Sequence, residues 1–583
     1  MKILLVAVNA KYIHSNLAVY SLKASAGSYE TSVELAEYTI NHQTDEIFRS
    51  IYQKKPQLLF FSCYIWNRRV ILETAENIRR VLPDTVIWAG GPEVSYDAEE
   101  FLRGNPQFDG VMKGEGERTF YRLLDYYCSL KGTLSQIPGI AYREKETGAV
   151  RVTGPGETLK TLDELPFVYD HPEKFQNRII YYESSRGCPF SCSYCLSSID
   201  KRVRFRSTEK VKQELLFFLK HRVPQVKFVD RTFNCSHSRA EELWQFIRDH
   251  DNGVTNFHFE IAADILTDKE VEILSGMRPG LVQLEIGVQT VNERTLAAIH
   301  RTAEFEKITS RVKQIAASEN IHQHLDLIAG LPYEDFESFQ SSFDTVYRLH
   351  PQELQLGFLK VLRGSEMHRR AEEYGIVYRS ECPYEVLKTK WISCDELVRL
   401  KEVEEMLEVY YNSQQFRNTM AALEQIFGRP FELYASLADY YKKNELDGKS
   451  YSRIQRFSIL REFIRRSLQE RSLTDQENRF DELLTFDFYL RENGKSRPDW
   501  APELLSYQTE MAAFYREEEQ TRTYLPAYEN MTWKQMMRMT HLERFTSDVL
   551  GNGSSGTQWL LFDYRVRNPL TGDAAVCKAD LPY

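Results

Sequence analysis

The chain has 583 residues, 42% hydrophobic and 27% charged, with a formal net charge of −10. That length is enough for three or four domains at roughly 150 residues each. The acidic balance argues against a general nucleic-acid binder, although residues 201–206 (KRVRFR) form a local basic run. No run of 18 uncharged apolar residues exists to span a membrane, and the opening apolar run is too short for a secretory leader. Residues 1–135 then alternate strand and helix. Strands are expected at 2–8, 33–40, 58–66, 86–89 and 110–112, with helices at 70–82 and from the Gly114-Glu115-Gly116-Glu117 turn to about Tyr127. Five such units predict a doubly wound, Rossmann-like α/β sheet. Residues 136–177 read as a connector holding a small hairpin around Gly148.

Residues 178–375 resume the alternation. Strands are expected at 179–183, 225–229, 256–261, 281–286, 323–327 and 353–362, a partial or full (β/α) barrel. Residues 376–583 read as mostly helical. Leu397, Leu400, Val403, Met406, Leu407 and Tyr410 fall at helical spacing. A hairpin is expected at the end, from 559–565 through a turn at 568–572 to 574–578.

Nine cysteines are spread through the chain, and three of them crowd into Cys188-Pro189-Phe190-Ser191-Cys192-Ser193-Tyr194-Cys195. That is metal spacing rather than a disulfide framework, and it predicts a reducing cytoplasm. C-x₃-C-x₂-C supplies three thiolates to a cubane cluster and leaves the fourth iron for a small-molecule amine and carboxylate. A structural zinc loop would instead bring four protein ligands, as cysteine pairs in twos. Phe190 and Tyr194 can shield the loop. Asp230, Glu260 and Glu285 at the barrel mouth can hold an ammonium group and ribose hydroxyls through charge-assisted hydrogen bonds. Each acid taken alone reads equally well as a salt bridge or a strand-end solvent contact. Cys382 and Cys394, a pair without further partners, read as buried thiols.

With its segments at 228–233, 257–266, 284–290 and 327–332 in order behind the triplet, the sequence resembles the radical S-adenosylmethionine (SAM) superfamily. The resemblance covers about residues 178–370. It implies a [4Fe–4S] cluster on Cys188, Cys192 and Cys195, with SAM on the fourth iron cleaved reductively to a deoxyadenosyl radical. It implies SAM-binding roles for Tyr194, Asp230, Glu260, Glu285, Gln289 and Leu331, and assigns no catalytic residue beyond the cluster.

The N-terminal sheet, with Gly90-Gly91 after its fourth strand and Gly114–Glu117 after its fifth, resembles the cobalamin-binding subclass of that superfamily. The cobalamin-binding residues so implied are Asn9, Tyr12, Ser62, Gly90, Gly91, Glu93, Gly114, Glu115 and Gly116. The D-x-H-x-x-G pattern of a lower-axial histidine is absent from residues 1–135, so none is assigned, and His14 reads as a solvated loop histidine. Residues 363–367, Cys382-Pro383-Tyr384 and 486–489 are similar to a branch with an uncharacterised helical C-terminal extension. That extension is expected either to cap the barrel and shape a pocket or to pack without further role.

The resemblance implies a cobalamin-dependent radical SAM methyltransferase acting on an unactivated carbon. Its substrate is not encoded in the motifs, and its reductant is expected to be a flavodoxin or ferredoxin. A non-methylating enzyme that cyclises or rearranges its substrate would carry the same motifs. A methylthiotransferase needs three cysteines in its N-terminal domain, and only Cys63 and Cys128 precede the barrel. A non-catalytic cobalamin or redox sensor would need an output module, which the sequence does not display.

Overall fold

A computed structural model describes the chain except for Gln176, Lys495, Asn552, Ser554, Ser555, Pro582 and Tyr583. Two compact units divide it: Met1–Ser338 with Gly357–Cys394, and Phe339–Leu356 with Asp395–Tyr583.

The first unit begins with β1 (Ile3–Asn9), β2 (Val33–Thr39), β3 (Leu58–Ser62), β4 (Val86–Gly90) and β5 (Gly110–Met112). β1 and β3 are buried at every position, because a parallel strand covered by helices on both faces has no solvent side. The order is β2-β1-β3-β4-β5, all parallel, so the topology switches between β1 and β3. The helix Arg68–Val81 lays Ile71, Thr74, Ala75 and Ile78 on the sheet, one stripe at 3.6 periodicity.

β3 stops at Ser62, four residues short of the sequence expectation. The buried Asn67 side chain ends it by accepting from Tyr64 N and donating to the Ser62 and Val8 carbonyls. The hairpin expected within 136–177 forms as β6 (Ile140–Arg143) and β7 (Val150–Val152). It does not stand apart as a connector: it extends the same sheet, antiparallel to β5.

A second sheet follows in the same unit: β8 (Ile180–Tyr182), then, after the two-residue ladder of β9 (Ser185–Arg186) with β10 (Arg204–Phe205), β11 (Gln225–Phe228), β12 (Asn256–Ile261), β13 (Val282–Gln289) and β14 (His322–Ala329). β8, β11, β12, β13 and β14 lie side by side in chain order and all run parallel, the wall of a barrel. One face is apolar, with Phe228, Phe233, Trp244 and Phe259 in a mutual aromatic cluster. The other face departs from the branched aliphatic filling usual in such barrels. Lys227, His258, Glu260, Glu285 and His324 stand at matching register on adjacent strands.

In the second unit the helices Arg417–Phe427, Pro430–Lys443, Arg453–Glu470, Glu477–Arg491 and Gln508–Thr521 dominate. The expected terminal hairpin is longer than its sequence pattern and gains a third antiparallel strand, Thr540–Phe545. Several carboxylates are buried inside this unit, among them Asp487, Glu482 and Glu543. Asp487 accepts from the backbone and side chains of Asn418 and Thr419 at 2.7–3.2 Å. Glu482 accepts from Thr546 and Ser547. Glu543 takes a bidentate Arg497 and His541. Among the described residues no helix is long and apolar enough to cross a membrane.

Candidate functional site

Cys188, Cys192 and Cys195 sit on the loop after β8, at the C-terminal end of the barrel strands. Backbone bonds hold that loop from several sides. Cys188 N donates to Asp200 O at 3.0 Å, Ser193 N to Ile299 O at 2.9 Å, and Met367 N to Ser193 O at 2.8 Å. Gly187 lies at φ +102°, and a Cβ there would come within 2.5 Å of Arg202 O, so only glycine lets the two strands of the loop meet. All three thiols are free. No three His, Cys, Asp or Glu side chains among the described residues close around a single-ion position.

The half-buried Arg301 guanidinium lies against this loop. Its Nη1 donates to Cys192 Sγ at 3.8 Å and its Nη2 to Gly287 O, while Nε is buried with no partner. A cation beside three thiolates suits an anionic cluster and a ligand carboxylate. Arg301 was missed in the sequence because it stands alone in the loop after the short helix Glu293–Ala298, with no periodic or motif signal.

The expected SAM-binding residues separate into two groups. Asp230 is 1% exposed and faces inward: it accepts from Ser184 N at 2.8 Å, Ser184 Oγ at 2.6 Å and Ser185 Oγ at 2.7 Å. It braces the start of the cysteine loop. Glu285 is also committed, to Lys227 Nζ at 2.9 Å and His258 Nε2 at 3.0 Å. Burial favours its neutral form, but those two partners outweigh it and hold the carboxyl well below its usual range. Glu260, beside it in register, has only a long ion pair with Arg231, 4.0 Å. Burial pushes its pKa up to about 7. Gln289 sits at a bulge with φ +73°, its Oε1 buried and unpartnered. Leu331 is fully buried, and Tyr194 packs against the cysteine loop beside Cys192.

At the switch point of the first sheet, the loops after β1 and β3 present a largely aromatic edge. Tyr12 is 64% exposed, with the Arg178 guanidinium over its ring. Trp66 is 43% exposed, stacks on Tyr64 at 4.4 Å and donates to Val8 O. Tyr64 and Trp66 were not singled out in the sequence, because they fell within the expected strand 58–66.

Several expected cobalamin-binding residues have other employment. Asn9 is buried and ties the β1 loop to His14 O and Glu37. Ser62 is buried at the end of β3. Gly91, at φ +113°, presses on Cys63 O so closely that no side chain fits. Gly90 packs on Met112 and Gly116 on Leu22, whereas Gly114 faces open space. Glu115 pairs with Arg204 and Arg186. Glu93 is the hub of a clamp to the segment after the barrel, taking Tyr384 Oη, Cys382 Sγ at 3.4 Å and Arg68 Nε at 3.4 Å. An Arg363–Asp97 ion pair adds to it. Asn9, Gly91, Glu93 and Glu115 therefore each hold parts of the edge together. His14 is not merely solvated: its Nδ1 shares a 2.6 Å hydrogen bond with Tyr181 Oη of β8. Cys394 is exposed and not buried.

Three family models match: "B12 binding domain" over residues 3–124, "Radical SAM superfamily" over 182–346, and "Protein of unknown function (DUF4080)" over 372–562. The chain is 26% identical over 348 residues to the cobalamin-dependent radical SAM methyltransferase TokK of Streptomyces tokunonensis, covering 55% of this chain and 50% of that one. It is 27% identical over 234 residues to the anaerobic magnesium-protoporphyrin IX monomethyl ester cyclase of Synechocystis sp., covering 38% and 46%. The chain thus spans about half the length of the curated relatives it matches. Its fold is similar to that of the cobalamin-dependent SAM radical enzyme OxsB, with a TM-score of 0.58 at 15% identity over 83% of this chain and 79% of that one. A radical SAM domain implies a [4Fe–4S] cluster and SAM, and a B12-binding domain implies cobalamin. The chain thus carries, in order, regions that match a B12-binding domain, a radical SAM domain and a C-terminal domain of unknown function.

Proposed function

We propose that the chain is a cobalamin-dependent radical SAM methyltransferase acting on an unactivated carbon. The observation that carries this is the pairing, within one compact unit, of a three-thiol loop beside Arg301 with an exposed aromatic switch-point edge. When bound, the cluster and SAM supply a hydrogen-abstracting radical, and the corrinoid supplies a transferable methyl group.

The protein's part is to bind, orient and exclude water. Cys188, Cys192 and Cys195 hold the cluster. Arg301 offers its guanidinium to the carboxylate of SAM, Glu260 accepts from the SAM ammonium, and Gln289 Oε1 takes a hydroxyl. Leu331 and Tyr194 close the apolar sides. Tyr12, Trp66 and the open turn at Gly114 receive the corrin. Lys227, His258 and Glu285 give the lumen a polar lining for the substrate. Similarity to a cyclase supports a second reading, in which the same machinery rearranges its substrate without methylating it.

The test is anaerobic production with hydroxocobalamin, then incubation with a reductant and SAM carrying a deuterated methyl group. Methyl transfer requires about four irons per chain, a bound corrinoid and label appearing on that corrinoid with release of S-adenosylhomocysteine. Deoxyadenosine without label on the corrinoid would favour the second reading. A Cys188→Ala/Cys192→Ala/Cys195→Ala variant that kept its iron would overturn both.

A further inference from the structure

Five neighbouring strands bring one residue each to a single level of the barrel lumen. Tyr181 stands beside Lys227, Lys227 beside His258, His258 beside Gln283 and Gln283 beside His322. At roughly 4.8 Å per strand this belt runs about 19 Å around the wall. It lies one inward-facing position below Glu260, Glu285 and His324, on the side away from the cysteine loop.

The belt is polar throughout but carries no net charge. Lys227 is offset by Glu285 at 2.9 Å. Burial lowers the pKa of His258 and pushes that of His322 down to about 4, with His324 and His258 adding to the latter, so both imidazoles are neutral near pH 7. Its hydrogen bonding is also unfinished. His322 Nδ1 is buried without a partner, and among the described residues the Gln283 amide forms no hydrogen bond. Nor is this part of the lumen packed shut, since the Lys227 and Glu285 side chains are still 24% and 23% exposed. Neutral donors and acceptors left open in a half-buried space suit a ligand that brings matching groups. An apolar chain laid there would strand them, and an ionic group would meet Lys227 already paired.

We propose that Tyr181, Lys227, His258, Gln283 and His322 form the specificity site for the substrate, a small uncharged molecule rich in hydroxyl or amide groups. The proposal rests on the reading of the chain as a radical SAM enzyme with SAM held at the level above. The belt fixes the far end of the substrate, and the carbon to be attacked then points toward the cysteine loop.

The experiment gives the cofactor-loaded protein dithionite, SAM labelled in its adenosyl group, and one of two protein-free extracts of its source cells, aqueous or chloroform. Labelled deoxyadenosine should form above the substrate-free rate with the aqueous extract alone. His322→Leu/Gln283→Leu should cut that excess about tenfold while leaving the substrate-free rate at the wild-type level. The milder His322→Gln, which keeps a donor and an acceptor, should fall in between. Because the leucines remove groups that the fold leaves unpartnered, the thermal midpoint should hold or rise. A lower midpoint with equal slowing of the substrate-free rate would show that the belt serves the fold and would overturn the proposal. So would an excess with the chloroform extract alone, or with neither extract. A wild type that cleaves no SAM would instead sink the radical reading, and the belt with it.

Discussion

Buried acids are used differently in the two units. In the second unit Asp487, Glu482 and Glu543 are each closed by three or more donors, so their lone pairs are spent on holding elements together. In the barrel of the first unit the Glu260 side chain is 26% exposed, no protein donor closes on it among the described residues, and its one cation stands 4.0 Å away. A carboxylate accepts about four hydrogen bonds, and an under-satisfied one is costly unless a ligand completes it. Saturation therefore separates the acids that hold the scaffold from one left open to a ligand. By that measure Asp230 sides with the acids of the second unit.

The comparison can be broken most decisively at Asp230. Asp230→Ala strands three donors at once and should lower stability by about 3 kcal/mol, with loss of iron as the cysteine loop loosens. Unchanged thermal unfolding, with only SAM affinity reduced, would put Asp230 back among the ligand contacts. Asp487→Ala should cost a similar ~3 kcal/mol in the second unit while leaving SAM affinity intact, read by denaturant unfolding alongside SAM titration.

Glu260→Gln should do the reverse, weakening SAM binding about tenfold with stability changed by under about 0.5 kcal/mol. Its pH behaviour sharpens this. The raised pKa of about 7 means the carboxyl must ionise before it can accept from an ammonium. Wild-type affinity should therefore climb as pH rises through about 7 and level off above it. The glutamine variant should be flat. A raised pKa also makes ionised Glu260 a burden on the fold, lost in the variant, so stability should not fall at pH 8. The smallest effect expected is Tyr384→Phe, which removes one donor from the Glu93 clamp, about 1 kcal/mol in thermal unfolding.

What was legible in the sequence was whatever is local. The C-x₃-C-x₂-C loop, the alternation of strands and helices and the apolar stripe of the helix at 68–81 depend on near neighbours. The partners of the acids were not legible, because they are remote. Ser184 and Ser185 reach Asp230 from 46 and 45 positions away, and Tyr384 reaches Glu93 from 291. The same distance hid the packing of Gly91 on Cys63. β3 ended early because one side chain, Asn67, outcompeted a pattern that favoured continuing the strand.

The second unit is discontinuous: Phe339–Leu356 belongs to it, but the chain returns to the first unit through Cys394 before supplying the rest. Within that unit Phe343 packs on Phe431 and Tyr434, and Tyr347 bonds to Glu424 and Tyr434. During vectorial synthesis these aromatics leave the ribosome well before their partners. At about 5–20 residues per second, Asp395–Tyr583 takes on the order of ten seconds or more to appear. For that interval an aromatic helix face is without its cover, so a nascent-chain chaperone has a defined window and a defined segment on which to act.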